Sequence, residues 1–234
     1  MGGPTQNHTQ DIETLERLYA QRYSCRAYLD TPVPRPVIER ILRVAQRTAS
    51  WCNAQPWKLR ITSGEETEQL RQALLEAVDT VPAQPDYEWP REYLGVHLDR
   101  RRECGLALYE SVGIARGDKQ AAQQQARENF RLFGAPHALI VTCEASLGDY
   151  SAIDSGAYAA SFMLAARAMG VASIAQASLA ARPDLLRRHF GMSDSDRVVC
   201  GISFGYADEQ HPINQFRTTR AELADAVVWT GSSN

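Results

Sequence analysis

Two arginines and one serine occupy alternate positions in a short stretch near the N-terminus. The stretch reads RYSCRAY over residues 22–28, with Arg22, Ser24 and Arg26 at every second position. Alternate side chains of an extended segment point to the same face. Two guanidinium groups and a hydroxyl on one face favour an anion as the ligand. We therefore expect an anion-binding surface here.

Two further polar clusters add to this expectation. Asn53, Gln55 and Trp57 alternate in SWCNAQPWKL, and side-chain amides can pair with the edge of a heterocycle. Arg217 and Arg220 flank two threonines in NQFRTTRAEL, where we expect a helix to begin and its free amides to favour an anion. Taken alone, these clusters are a turn with a core tryptophan and a solvated helix start. Taken together with RYSCRAY, they favour a nucleotide-like ligand.

Other chemical motifs are absent or weak. There is no G-x-G-x-x-G, no P-loop pattern and no HExxH, so neither a common nucleotide fingerprint nor a metal site is expected. GISFG at 201–205 matches the G-x-S-x-G of serine hydrolases, but that motif needs a helix to start at the serine. Ser203 is followed by a loop with proline. An ordinary strand serine beside close-packed backbone is the stronger interpretation.

Helices and strands alternate along the chain. We expect helices at about 11–21, 37–45, 65–78, 97–113, 118–132 and 153–170, and a short one at the start of the tail. We expect strands at KLRIT, HALIVTCE, VASIAQ and RVVCGISFGYA. This interleaving favours a single α/β or α+β domain at 11–234. We expect the polar residues 1–10 to form a flexible N-terminus.

The segment 80–97 has neither a helical nor an alternating period. It is rich in proline and carries Tyr87, Trp89 and Tyr93. Connections of this length are usually functional lids or disordered linkers, and the aromatic residues favour an ordered one. We therefore regard this insertion as a candidate lid.

Length and composition limit the class of protein. A chain of 234 residues with a net charge of −3 can bury a sizeable core and has no bulk charge for nucleic acid. It contains no apolar run long enough for a membrane helix and no secretory signal. Five widely spaced cysteines argue against a disulfide framework and for a reducing compartment, which we take to be the cytoplasm.

The chain resembles the FMN-dependent nitroreductase family over nearly its whole length. Four motifs carry the resemblance in the family's order: RYSCRAY, PVPRPVIERILRVAQRTASWCNAQPW, DSGAYAASFMLAARAMGVASIAQ and GISFGYADEQHPINQFRTTR. The resemblance implies an α+β nitroreductase-like fold, with a central, mostly antiparallel sheet flanked by helices. It also implies an intertwined homodimer that exchanges C-terminal arms, for which the Val-Val-Trp of the tail is suited.

The resemblance implies FMN as the cofactor. The residues that match cofactor-binding positions are Arg22, Tyr23, Ser24, Arg26, Ser50, Trp51, Asn53, Ala175, Gln176, Ala177, Ser178, Arg217 and Arg220. Arg22, Ser24 and Arg220 match phosphate positions, with Arg217 as a possible helper. Arg26 matches a basic residue near flavin N1 and O2, where it would act by electrostatics.

Two other stretches carry the remaining matches. Ser50, Trp51 and Asn53 match a loop that reaches the flavin from the partner subunit. Residues 175–178 match the segment whose backbone N–H approaches flavin N5. No side chain is expected to act as an acid or base.

The implied activity is a ping-pong oxidoreduction. NADPH or NADH reduces the flavin at N5, and a small aromatic acceptor, a nitroaromatic or a quinone, then takes its place. Reductive dehalogenation and flavin processing stay open within the same fold. Outside this activity, the alternatives are a non-catalytic flavin-binding protein and a serine hydrolase that uses Ser203.

Overall fold

Four antiparallel strands form the centre of the protein. The computed structural model describes residues 5–231. The strands are β1 (Trp57–Ser63), β2 (His137–Glu144), β3 (Ala172–Gln176) and β4 (Asp196–Gly205). Their order in the sheet is β1-β2-β4-β3, and each neighbouring pair is antiparallel. The expected α+β architecture around a mostly antiparallel sheet is confirmed.

Helices surround this sheet. Within the described residues they are α1 (Thr5–Gln21), α2 (Arg35–Ala45), α3 (Glu65–Val78), α4 (Gly95–Ser111), α5 (Lys119–Arg127), α6 (Tyr150–Ala168) and α7 (Pro183–Phe190). None of the helices in this part of the chain is both long and apolar enough to cross a membrane.

Several helices differ from the sequence expectations, and α5 ends at Arg127 rather than near 132. The first helix begins at Thr5, so residues 5–10 are helical, while residues 1–4 of the expected flexible segment lie outside the described residues. Helix α7 was not predicted, although Pro183 in its first turn and the left-handed Gly191 after it are typical helix boundaries. The predicted helix in the tail is only a 3₁₀ turn, at Leu223–Asp225.

The core lies on both faces of the sheet. Along β2, Ala138 and Ile140 join one buried cluster, and Leu139 and Val141 join the other, because successive side chains of a strand point to opposite faces. Helix α6 contributes Tyr158, Phe162 and small alanines to the second cluster. A central strand covered on both faces explains why β2 reads as a continuous apolar run.

Ser203 is an interior residue of β4. Its side chain is fully buried, and the strand ends at Gly205 without a following helix. A Cβ atom at Gly205 would lie 2.6 Å from Cδ of Pro136, and one at Gly201 would overlap the Leu179 side chain. The glycines therefore permit close packing, and this geometry contradicts a nucleophile elbow at Ser203.

His137 is a buried histidine whose tautomer is fixed. Its Nε2 accepts from the Val33 backbone N–H at 2.9 Å, and its Nδ1 lies 3.1 Å from the Thr62 carbonyl oxygen, to which only a protonated Nδ1 can donate. Burial lowers the pKa of His137. A second proton, on Nε2, would face the Val33 N–H. The folded protein therefore keeps this ring neutral.

We predict that His137 makes the fold less stable in mild acid. Because its pKa is lowered on folding, its contribution is complete above the unfolded-state pKa of about 6.5 and is lost as the pH falls below that value. The free energy of unfolding should fall by at most about 1.4 kcal/mol per pH unit from this group. Urea unfolding between about pH 7.5 and about pH 5.5 measures the slope.

The matched control is the exposed His8 on α1. His137→Gln should flatten the pH dependence, whereas His8→Gln should leave it as in the wild type. Equal slopes in all three proteins would contradict this role of His137.

Candidate functional site

The RYSCRAY segment lies along the edge strand β3. Ser24 forms a parallel bridge with Ser173, and the Cys25 N–H donates to the Ser173 carbonyl oxygen at 3.3 Å. Cys25 is fully buried, while Arg22, Ser24 and Arg26 stay partly exposed. Arg22, Ser24 and Arg26 lie beside one cavity, but Tyr23 between them lines the same cavity, so the segment does not alternate strictly.

Asn214 connects this segment to the C-terminal part of the chain. Its Oδ1 accepts from the Arg26 backbone N–H at 2.8 Å. Its Nδ2 donates to the carbonyl oxygens of Ala27 and Asp208, both at 2.8 Å. Asn214 is 2 % exposed. Sequence reasoning missed this residue, because an asparagine between an isoleucine and a glutamine gives no signal of a contact 188 positions away.

Four arginines from the two ends of the chain line a single cavity of about 500 Å³. Its lining residues are Tyr19, Ala20, Arg22, Tyr23, Ser24, Arg26, Cys104, Phe216, Arg217, Thr218 and Arg220. None of these residues is acidic, and none of the four arginines pairs with a carboxylate of the described residues. The cavity therefore concentrates positive charge, while the adjoining cavity that shares Arg217 and Arg220 also has Glu103, Glu222 and Asp225 in its lining.

The charges in this cavity affect one another. Burial, together with the positive charge of Arg220, lowers the pKa of Arg22. Burial also lowers the pKa of Arg26. Guanidinium groups keep their charge at neutral pH even so. A bound anion would relieve this repulsion and replace the lost solvation.

Aromatic rings and backbone carbonyls orient these guanidinium groups. The Arg217 guanidinium carbon lies 3.8 Å from the centroid of the Tyr23 ring, and that of Arg26 lies 5.7 Å from the centroid of Phe216. Arg220 donates to Thr218 Oγ1 at 2.9 Å and to the Thr219 carbonyl oxygen at 2.8 Å. No helix begins at 217–220, so the expected anion site at a helix start is wrong. The side chains alone supply the charge.

Residues 175–178 follow the bridge between Ser24 and Ser173. Because this bridge is parallel, Arg26 and Ala175 each lie two residues beyond it in the same direction. Ala175 and Ala177 are exposed, whereas Gln176 between them is buried. Small exposed side chains leave the backbone open to a planar ligand on this side of the strand.

Ser50, Trp51 and Asn53 do not line the cavity. They form an exposed turn that is held near α6, where the Trp51 N–H donates to Asp154 Oδ2 at 3.1 Å. The Trp51 ring meets Tyr150 edge-on, with 4.4 Å between centroids. The described chain thus gathers the arginines, Tyr23 and Ser24 around one space and leaves this loop on its surface.

The first half of the 80–97 insertion is fixed to the body of the protein. Asp86 accepts two hydrogen bonds from Arg187, at 2.8 and 2.9 Å, and a third from the Val198 N–H at 2.7 Å. Tyr87 Oη lies 3.1 Å from Cys143 Sγ, and burial raises the pKa of Tyr87 to about 12. Beyond this anchor, Trp89 and Tyr93 are partly exposed.

These residues fit a phosphorylated aromatic cofactor such as FMN. A phosphate dianion requires several positive hydrogen-bond donors, which Arg22, Arg217 and Arg220 provide together with the Ser24 hydroxyl. A ring system requires a flat, open surface, which the exposed backbone of 175–178 provides. The cavity and this surface lie along the same edge strand.

The comparisons with known proteins agree with this geometry. The model of the nitroreductase family matches residues 19–206. A nitroreductase NfnB from Mycolicibacterium smegmatis is 34% identical over 95% of this chain and 94% of its own. A 4-nitrobenzoate reductase from Pseudomonas putida is 32% identical over 89% of this chain and 92% of its own.

A solved structure gives the same result. The FMN-dependent nitroreductase NfnB from Mycobacterium smegmatis, in complex with NADPH, superposes with a TM-score of 0.89 at 32% identity. It covers 94% of this chain and 99% of its own. The chain belongs to the nitroreductase family, and the resemblance expected from the sequence is confirmed.

We predict that Asn214→Ala destabilises the fold. The change removes one buried acceptor and two buried donors, so the free energy of unfolding should fall by about 1–3 kcal/mol. Amide exchange should also quicken selectively over 24–28. Urea unfolding and mass-detected hydrogen exchange measure these effects. The control is Gln210→Ala, because the exposed Gln210 side chain makes no hydrogen bond within the described chain. Equal stability of the two variants would contradict the role of Asn214.

Proposed function

We propose that this protein is an FMN-dependent NAD(P)H oxidoreductase that reduces small nitroaromatic or quinone-type compounds. The observation that carries the proposal is the cavity in which four arginines meet without a carboxylate. The relatives named above, 4-nitrobenzoate reductase and NfnB, support the choice of nitro compounds as acceptors. The NADPH bound in a similar solved structure supports NADPH as one electron donor. The free cysteines support a reducing compartment such as the cytoplasm.

The arginines divide into two tasks in this proposal. Arg22 and Arg220 hold the phosphate, with Ser24 as a hydroxyl donor and Arg217 as a further cation. Arg26 lies beyond the bridge on the side of residues 175–178, where it places a positive charge near the pyrimidine edge of the ring. Bound FMN supplies the hydride chemistry, while the protein supplies binding, orientation and charge. A fixed cation at that edge lowers the free energy of the ring when it becomes negative.

Residues 88–97 line the acceptor side in this proposal. The Asp86 and Tyr87 contacts fix the middle of the insertion, and its last residues, 95–97, form the first turn of α4. Trp89 and Tyr93 are 41% and 39% exposed and provide flat surfaces for an aromatic acceptor. A lid in this position would therefore move at residues 88–97 rather than over the whole insertion.

A second copy of the chain completes the site in this proposal. The Ser50–Trp51–Asn53 turn is exposed and remote from its own cavity, which suits a loop that contributes to the cavity of a partner. The tail carries Val228 and Trp229, which are 86% and 82% exposed. Large apolar side chains that are exposed on a tail gain free energy when another subunit covers them. We therefore propose a homodimer with exchanged C-terminal arms.

We predict that the purified protein is yellow and that Arg22→Ala and Arg220→Ala each weaken FMN binding. A charge-assisted hydrogen bond contributes about 1.5–3 kcal/mol, so each dissociation constant should rise about 10- to 100-fold. Fluorescence titration of the apoprotein with FMN measures this rise. The control is Arg43→Ala, because Arg43 is exposed on α2. Unchanged affinity in both cavity variants would place the phosphate elsewhere. A yellow protein that oxidises NADPH no faster than free FMN would be a non-catalytic flavoprotein.

We also predict that the tail holds the dimer together. Each apolar side chain buried at an interface stabilises it by about 1.5–3 kcal/mol. The double variant Val228→Asp, Trp229→Asp should therefore sediment as a monomer at concentrations where the wild type is a dimer. Thr230→Asp adds a charge to the same exposed tail without removing an apolar group, and it should stay dimeric. A double variant as dimeric as the control would show that the arm does not contribute to the interface.

A further inference from the structure

Gln176 has a buried side chain in the middle of an exposed stretch. It is 3% exposed, whereas Ala175 and Ala177 on either side are exposed. Its Oε1 accepts a hydrogen bond from the hydroxyl of Ser203, which is itself fully buried in β4. Its Nε2 donates to Asn129, at 2.9 Å to the backbone oxygen and at 3.3 Å to Oδ1. A glutamine at this position is therefore held at both ends of its amide.

The orientation of this amide is determined by its partners. The Asn129 backbone oxygen can only accept, so the Gln176 atom that faces it must be the nitrogen. Oε1 then faces Ser203 and must receive the hydroxyl proton. A carboxylate in the place of the amide would set an oxygen against the Asn129 carbonyl. The site is therefore specific for an amide side chain.

Asn129 closes a ring of hydrogen bonds around Ala177. Its Oδ1 also accepts from the Ser178 hydroxyl at 3.1 Å, so the residues before and after Ala177 bind the same side chain. Its Nδ2 donates to the Ala126 carbonyl oxygen at 3.0 Å and so caps the end of α5. The backbone around Ala177 is thus fixed from the side opposite to its exposed face.

We propose that Gln176, held by Ser203 and Asn129, is the positioning residue that sets the backbone of 175–178 against the redox-active part of the flavin. This inference rests on the proposed function, together with the family resemblance, which implies that this backbone approaches flavin N5. It assigns a role to Ser203 of the GISFG motif, because its hydroxyl orients the Gln176 amide and does not act as a nucleophile. It also connects the end of α5 to the flavin-facing segment through Asn129.

Four variants test the inference on the full-length, FMN-loaded protein. Gln176→Leu removes both polar ends of the side chain at similar size, and Ser203→Ala removes only the donor to Oε1. The double variant tests whether the two residues act together. Gln124→Leu is the matched control, because Gln124 is exposed on α5 and makes no hydrogen bond within the described chain. The measurements are hydrogen exchange over 174–179, FMN affinity, the rate of FMN reduction by NADPH and the KM for NADPH.

We expect exchange over 174–179 to quicken at least about tenfold in both single variants and to stay unchanged in β2. FMN reduction should slow by about 10- to 100-fold, since small displacements of a positioned group have effects of this size. FMN affinity and the KM should stay within about threefold, because the arginine cavity is untouched. The double variant should be no slower than Gln176→Leu alone.

Three results would decide against the inference or against its premise. If both single variants exchange and react like Gln124→Leu, Gln176 does not position the segment. If Gln176→Leu does not fold, Ser203→Ala decides alone, and exchange and reduction at the wild-type rates overturn the inference. A wild-type protein that takes up no FMN overturns the proposed function itself, which the variants cannot do.

Discussion

The arrangement of the site depends on holding like charges together. Burial and the positive charge of Arg220 lower the pKa of Arg22, and neither arginine forms an ion pair with a carboxylate of the described residues. Such a group is costly until an anion arrives, so the rest of the fold must hold it in place. The edge strand β3 pairs with Ser24 of the N-terminal segment. Asn214 then joins that segment to the C-terminal part of the chain. The grouping of like charges that makes this cavity unfavourable by itself is also what would favour an anion in it.

The sheet edge explains how one short segment serves two parts of a ligand. Ser24 pairs with Ser173, which leaves Arg22 on one side of the bridge and Arg26 on the other. Strand β3 continues from the same bridge to Gln176, and residues 177–181 then form a 3₁₀ turn. Arg22, Arg26 and the start of 175–178 thus share the bridge between Ser24 and Ser173 as a reference, whereas Arg217 and Arg220 lie on an irregular segment.

Local patterns were predictable from the sequence, and distant partners were not. The buried run of β2 and the strand role of Ser203 follow from periodicity and motif context, whereas Tyr23 breaks the alternation expected for RYSCRAY. The Asn214 contact and the ring around Gln176 join residues 188 and 47 positions apart, which no local pattern encodes. The expected helix at Arg217 was wrong because Arg217 and Arg220 bind nearby backbone carbonyls, so the chain there is irregular. Only the family resemblance predicted that the arginines of the two ends of the chain would meet, because their spacing in the sequence does not show it.

The turn after α2 carries backbone strain on an exposed surface. Cys52, Asn53 and Gln55 have φ values of 50°, 56° and 47°, in the left-handed region that favours glycine. Such residues cost of order 1 kcal/mol each and persist where surrounding contacts fix them. Here the Gln55 N–H donates to Ser50 Oγ, the Gln46 side chain donates to Gln55 Oε1, and the Trp51 N–H donates to Asp154. Three strained residues beside an exposed tryptophan raise the free energy of a surface that nothing covers. They are reasonable where a second subunit covers the turn, which is the arrangement that the proposed dimer provides.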